Sequence, residues 1–275
     1  MAEKKHGSQA ALAPYCAATA PEDAIQPQPS CHNTRHSRSL TAYADITDAS
    51  PEECLHRLAT SRVVLLGCGG LGGHVLEGLA RAGVGFLRVV DGDTFSPSNL
   101  NRQTLCTEHT LGQNKALAAQ QRAAAINSEI DVEAVTTFAT PATLPGLLQG
   151  MHVVVDALDN VAARFQLAEA ACTCGIPVVH GAVAGFSGHA TVVYPGDTSL
   201  HSIYATNQGE APNSPNTMAG ATEAPGVAPP TPALIAAVQV AETIKILLGK
   251  PELTLRNRLF LCDLGRAYAQ VLHLT

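Results

Sequence analysis

The residues Gly67-Cys68-Gly69-Gly70-Leu71-Gly72-Gly73 contain G-x-G-x-x-G at Gly67, Gly69 and Gly72. They follow the apolar run Val63–Leu66 and precede a helical pattern. Glycine permits a tight turn and a close approach of backbone to phosphate. The N–H groups that open the helix then face the anion. Asp91 lies nineteen residues after Gly72, at the end of a second apolar run, where an acid accepts hydrogen bonds from ribose hydroxyls. This pattern points to a nucleotide and does not separate NAD from ATP. No G-x-x-x-x-G-K-[ST] loop is present, which argues against a P-loop enzyme.

Three further polar groups follow in chain order: Asp91-Gly92-Asp93 with Asn99 and Arg102, then Lys115, then Asp159-Asn160. Arg102 and Lys115 suit a polyanion, the arginine as a planar fork and the lysine as a point charge. Lys115 opens a helix, where a cation is misplaced unless an anion sits nearby. Asp159 follows a strand, on the edge of a parallel sheet where ligands bind, and offers oxygen to Mg²⁺. Asn99 and Asn160 can bond phosphate or orient these groups, and Asp159-Asn160 also suits a helix cap. Asp93 can serve simply to shape its turn. His180, at the end of a strand, reads as a hydrogen-bonded core residue, or one that supports a site group from behind, rather than a catalyst.

The elements that must hold these groups alternate. Ser50-Pro51-Glu52-Glu53 starts a helix with a cap, a proline and two acids. Arg62–Leu66, Phe86–Val90, Val132–Thr136 and Val153–Asp156 read as strands, and a further buried strand starts at Pro177–Val179. Helices are expected at Gly72–Ala82, Gln113–Ile126, Leu144–Leu148 and Val161–Cys174. This order predicts an α/β fold: a doubly wound, Rossmann-like, mostly parallel sheet. His189–Tyr194, Leu259–Cys262 and Ala267–Leu272 add an antiparallel C-terminal portion. Residues 1–45 read as a flexible N-terminal tail and 46–275 as the ATP-binding domain. Within it, 195–232 reads as a mobile crossover loop, dense in Gly, Pro, Ser, Asn and Thr. Pro232 opens an apolar helix that Gly249 ends, read as core or dimer interface.

The segments Ser98-Asn99-Leu100-Asn101-Arg102-Gln103, Leu111-Gly112-Gln113-Asn114-Lys115 and Asp156-Ala157-Leu158-Asp159-Asn160, with Arg164, stand in a specific order behind the glycine loop. Together they resemble the ThiF/MoeB/HesA branch of the ubiquitin-activating-enzyme superfamily over about residues 50–275. The resemblance implies an adenylyltransferase that uses ATP and Mg²⁺ to activate the C-terminal glycine of a small ubiquitin-like sulfur carrier. It implies molybdopterin- or thiamin-type sulfur transfer, and a homodimer. It assigns ATP contacts to Gly67, Gly69, Gly70, Gly72, Asp91, Asp93, Asn99, Arg102, Lys115, Asp159 and Asn160. Arg102, Lys115 and Asp159 carry the chemistry, with Asp159 on Mg²⁺, and the 195–232 loop is expected to close over the carrier's tail.

The sequence departs from that family in three places. Many relatives hold zinc with two C-x-x-C pairs. Here Leu200–Tyr204 stands where the first pair belongs and only Cys262 lies near the end, so no zinc site is expected. The family's crossover cysteine has no counterpart in Ala219–Val227. The family's N-terminal arginine, which reaches a partner's site, corresponds loosely to Arg35 or Arg38. An NAD-dependent oxidoreductase and a non-catalytic ATP- or partner-binding relative remain alternatives.

The bulk numbers fit a folded enzyme. Of 275 residues, 46% are hydrophobic and 15% charged. The net charge of −6 argues against a general nucleic-acid or anionic-membrane binder. No apolar run approaches the ~20 residues that span a bilayer. Met1–His6 has no apolar stretch behind its lysines, so a cytoplasmic protein is expected.

Overall fold

The computed structural model describes residues 35–204 and 226–274. The chain divides into Met1–Arg35 and a compact unit, His36–Thr275. The unit is built on one eight-stranded sheet in the order β3-β2-β1-β4-β5-β6-β7-β8. Its strands are β1 (Arg62–Leu66), β2 (Phe86–Val90), β3 (Asp131–Val135), β4 (Val153–Asp156), β5 (Val178–Ala184), β6 (Ser187–Val193), β7 (Arg258–Asp263) and β8 (Tyr268–His273). Strands β1 to β5 pair in parallel, and β5 to β8 pair antiparallel. The chain steps outward from β1 to β3, then returns to lay β4 on the other side of β1. The switch point therefore lies between β1 and β4.

Alternation along the central strands sorts the core into two layers. Val63, Leu65, Val153 and Val155 face one layer; Val64, Leu66 and Val154 face the other. The first layer is covered by α3 (Gly70–Ala82), α4 (Lys115–Ile126) and α8 (Pro230–Leu247). The second is covered by α5 (Leu144–Leu148), α6 (Val161–Cys174) and α7 (Ser199–Tyr204). Both faces of β1 are buried, which is why its sequence is a continuous apolar run rather than an alternating one.

Local signals set the helix ends. In α2 (Pro51–Ala59), the Ser50 hydroxyl accepts from the Glu53 N–H at 3.2 Å. The Asn114 side chain accepts from Ala116 and Leu117 at the start of α4. Gly83 and Gly175, both left-handed, end α3 and α6.

Two segments read as irregular each contain a short helix among their described residues. The N-terminal tail was drawn to residue 45, yet α1 (Leu40–Ala44) lies inside that range and Leu40 is buried. The His36 ring fills the space that a side chain at Gly83 would need. In the 195–232 stretch, α7 forms because Leu200 is buried in the second layer. Both helices are too short to carry a period, and tertiary burial fixes them. The rest of the tail reading, and residues 205–225 of the crossover reading, lie outside the described residues. Helix α8 starts at Pro230 rather than Pro232. It buries Ile235, Ala236 and Gln239 against the sheet and α3, while Leu234, Val238, Val240, Ile244, Ile246 and Leu247 pack on that core only partly buried.

Candidate active site

Gly67 leaves β1 with φ +94°, a conformation that side chains disfavour. A Cβ there would fall 2.6 Å from the Ala157 carbonyl oxygen, because the turns after β1 and β4 abut. A Cβ on Gly72 would fall 1.9 Å from the Gly67 oxygen, so helix α3 can return over its own strand only on a glycine. Gly69 and Gly70 are less constrained. Their Cβ positions meet Gln103 Nε2 at 3.5 Å and Pro232 Cγ at 3.6 Å, ordinary contact distances. Gly69 offers no side chain to cap α3, which leaves the first-turn N–H donors to an outside acceptor.

Asp91 locks this turn to the end of β2. One carboxylate oxygen accepts the Cys68 N–H at 2.8 Å, and the other accepts the Asp93 N–H at 2.9 Å. Burial pushes the Asp91 carboxyl above its ordinary value, opposed by those two N–H groups and by the Lys115 charge. The Asn114 amide donates to the carbonyls of Asp91 and Asp93 while its oxygen caps α4. That cap holds Lys115 at the first position of the helix. The Lys115 side chain is 10% exposed, and Nζ lies 3.1 Å from Asp93, whose side chain is 55% exposed.

The segment after β2 carries the second cation. Asn99 is buried, and its Oδ1 accepts the Ser96 N–H at 3.0 Å. That oxygen shapes a turn rather than facing a ligand. Arg102 is half-buried and donates to the Ser98 carbonyl at 3.1 Å and to Asn101 Oδ1 at 2.9 Å. Its backbone carbonyl lies 3.8 Å from the Cβ position of Gly70, which places it beside the glycine turn. Gln103, beneath Gly69, is buried, and its Oε1 has no hydrogen-bond partner among the described residues.

Beyond β4 the chain forms the turn that presents Asp159. This residue is exposed and makes no hydrogen bond or ion pair among the described residues. Asn160 accepts the Ala163 N–H at 3.2 Å and caps α6, the structural role its position suggested. The preceding residue, Leu158, is held at both ends of its backbone. Asp156 Oδ1 accepts its N–H at 3.0 Å, and Arg164 donates twice to its carbonyl, at 2.6 and 3.2 Å. Asp156 is fully buried, as is His180, whose Nδ1 lies 2.7 Å from Asp156 Oδ2. His180 is thus the hydrogen-bonded core residue that its strand position indicated. Next to it, His189 has its pKa lowered to about 3 by burial, then by His180 and Arg164, so it is neutral at physiological pH.

The structure thus brings Gly67, Gly69, Gly70, Gly72, Asp91, Asp93 and Lys115 to the carboxyl edge of the parallel strands. The Arg102 backbone and the Asp159 turn lie beside them. It adds Phe138, which sequence reading missed. This residue is 62% exposed, and its ring occupies the space over Gly92, 2.7 Å from where a Cβ would stand. A lone phenylalanine after β3 carries no spacing signal. Gln103 carries no sequence signal of its own, because only the fold shows that it is buried under Gly69. Cys68 and Cys262 make poor nucleophiles: burial, and then Asp91, pushes the fully buried Cys68 thiol well up. Burial also raises Cys262. Arg38 is exposed ahead of α1.

A glycine turn at the switch point, an acid at the end of the next strand and a buried lysine facing both define a nucleotide-binding protein of the doubly wound class. The ThiF family model matches residues 39–274, and the chain belongs to that family. It is 35% identical over 231 residues to the SAMP-activating enzyme E1 of Haloferax volcanii, covering 83% of this chain and 80% of that protein. It is 37% identical over 193 residues to the molybdopterin-synthase adenylyltransferase of Escherichia coli, covering 70% and 75%. It is 36% identical over 203 residues to the sulfur carrier protein adenylyltransferase of Thermus thermophilus, covering 70% and 71%. In fold it matches E. coli MccB solved with ATP, with a TM-score of 0.70 at 23% identity over 90% of this chain and 73% of that one. These matches carry the expected α/β architecture. Among the described residues, no helix is long and apolar enough to cross a membrane.

Proposed function

We propose that this adenylyltransferase activates the C-terminal glycine of a small ubiquitin-like sulfur-carrier protein with ATP, releasing pyrophosphate. Three relatives support the reading by name: one activates SAMP, one acts on a sulfur carrier protein and one on molybdopterin synthase. The observation that carries it is Lys115. A buried ammonium at a helix N-terminus is disfavoured by the helix dipole, and among the described residues its one ion pair is with the largely exposed Asp93. A triphosphate at the glycine turn supplies the missing anion.

The carrier carboxylate attacks the α-phosphorus, and the bond to pyrophosphate breaks. Both reactants are anionic, so the site must neutralise charge and align the attack. The α3 N–H donors, Lys115 and Arg102 would do this. Asp91 would accept the ribose hydroxyls, and the exposed face of Phe138 beside it would take the attached adenine. Asp159 fits Mg²⁺, because an exposed carboxylate without a partner among the described residues offers both oxygens to a hard cation. Bound there, Mg²⁺ would neutralise phosphate charge. No cysteine enters this step, and no zinc is needed for it.

Calorimetry with Mg·ATP and with NAD tests the nucleotide. ATP is expected to bind and NAD not. Binding of NAD alone would support the oxidoreductase reading, which leaves Arg102, Lys115 and Asp159 without a role.

The chain is expected to form a homodimer in a cytoplasmic setting. Leu234, Val238, Val240 and Ile244 on α8 remain only partly covered within one chain. Sedimentation at micromolar concentration should give twice the chain mass, and a single species of 28.5 kDa would contradict it.

A further inference from the structure

The Asp159 turn is closed from beneath by a ring of hydrogen bonds. From the Leu158 N–H the ring runs to Asp156 Oδ1, then from Asp156 Oδ2 to His180 Nδ1 at 2.7 Å. His180 Nε2 lies 3.1 Å from the Tyr204 hydroxyl, and the Tyr204 oxygen accepts from Arg164 at 2.5 Å. Arg164 returns to the Leu158 carbonyl at 2.6 Å. The Leu158 backbone is thereby gripped by a carboxylate at its N–H and by a guanidinium at its carbonyl, on the two peptide units that flank its Cα. The two gripping groups are themselves linked through His180 and Tyr204.

The partners come from four elements: β4, β5, α6 and α7. The Gln239 amide fixes the same strand end, donating to the Asp156 carbonyl at 2.8 Å. The carboxylate selects the His180 tautomer with its proton on Nδ1, leaving Nε2 as an acceptor that faces the Tyr204 hydroxyl at 3.1 Å and His189 Nε2 at 3.3 Å. An ionised carboxylate and a guanidinium this deep are costly unless every polar site is used. The Asp159 side chain, by contrast, has no partner of its own among the described residues. Its direction is set only by the turn it stands on.

We propose that His180 and Tyr204 are positioning residues for the Asp159 carboxylate, acting through Asp156 and Arg164 on the two peptide units that flank Leu158. The proposal rests on the reading of Asp159 as the group that meets Mg²⁺. Outer groups that orient a metal-binding carboxylate typically affect metal affinity 10- to 100-fold. Removing either link should therefore loosen the turn without touching the nucleotide's adenosine end. Asp91 and the glycine turn belong to separate hydrogen bonds and should be unaffected.

The test measures, by calorimetry on the full chain, the factor by which Mg²⁺ tightens ATP binding, with AMP affinity in the absence of metal as the internal control. In His180→Ala and Tyr204→Phe the Mg²⁺ factor should fall about tenfold or more, while AMP affinity stays within about twofold. His180→Asn should restore most of it, because its amide can donate to Asp156 where Nδ1 does. Asp159→Asn is the reference and should lose the same factor. Should Asp159→Asn lose it while His180→Ala and Tyr204→Phe keep it, the positioning role is overturned and the site reading stands. Parallel loss of AMP affinity, or a His180→Asn no better than His180→Ala, would mark the ring as merely structural and also overturn it. An unchanged factor in Asp159→Asn would overturn both. If His180→Ala does not fold, Tyr204→Phe alone decides, because it removes one hydroxyl and keeps the ring.

Discussion

Lys115→Ala is expected to lower carrier-dependent ATP–pyrophosphate exchange by about a hundredfold or more. A group that stabilises developing charge in a water-poor site is worth on the order of 3 kcal/mol of transition-state energy. Lys115 has the position for it: buried, at the first turn of α4, within reach of the turn that follows β1. The structure also supplies the competing explanation, an ordinary ion pair with Asp93 at 3.1 Å. The two separate cleanly. If the lysine serves only that pair, Asp93→Asn should cost as much exchange as Lys115→Ala. If it serves phosphate, Asp93→Asn should cost far less, because Asp93 is mostly exposed and solvent replaces it. Arg102→Ala and Asp159→Ala should show losses of similar size. Replacing all eight cysteines with serine should leave exchange largely intact if the fold survives. Loss of exchange on changing one cysteine without unfolding, with Lys115→Ala still active, would move the chemistry elsewhere.

The second large effect is structural in origin. Gly72→Ala would place a methyl 1.9 Å from the Gly67 oxygen and 2.8 Å from its carbonyl carbon. Both are backbone atoms, so no rotamer relieves the clash and α3 must move off β1. Forced overpacking of this kind costs about 1–3 kcal/mol, occasionally more. For a domain of this size that lowers Tm by roughly 2–12 °C, and the distorted turn should lose ATP binding altogether. Gly70→Ala is the control. Its Cβ would meet only Pro232, at 3.6 Å and beyond, and the Arg102 carbonyl at 3.8 Å. It should melt near the wild type, so any loss of ATP affinity there reports on crowding of phosphate. Equal melting temperatures for Gly72→Ala and the wild type would show that the turn is not as tight as described.

These two predictions draw on the part of the molecule that was legible in sequence. The run Val63–Leu66, the glycines after it and Asp91 at the next strand end lie within thirty residues, and each follows from a local rule. The central strands β1 and β4 were readable because burial on both faces writes itself as an apolar run. What was not legible depended on distance in sequence or on small size. Helices α1 and α7 exist because Leu40 and Leu200 find tertiary cover, which no five- or six-residue window reveals. The apolar stripe of α8 reads in sequence as core or dimer interface, and only the fold shows that Ile235 and Ala236 are the part the sheet and α3 bury fully. His180 could be read as a bonded core residue. Its link to Asp156, Tyr204 and Arg164 required four elements to meet. Asn99, assigned a ligand role by resemblance, has its Oδ1 spent on the Ser96 N–H, a local turn that the fold alone discloses.

The most direct test of the account is exchange of labelled pyrophosphate into ATP. The purified chain would be given ubiquitin-like sulfur-carrier proteins of the kinds its relatives act on, each intact and each lacking its last glycine. The account predicts Mg²⁺-dependent exchange with at least one intact carrier, none with its truncated form, and about a hundredfold less with Lys115→Ala. Exchange that ignores the terminal glycine, or none with any carrier from a chain that binds NAD instead of ATP, would contradict it.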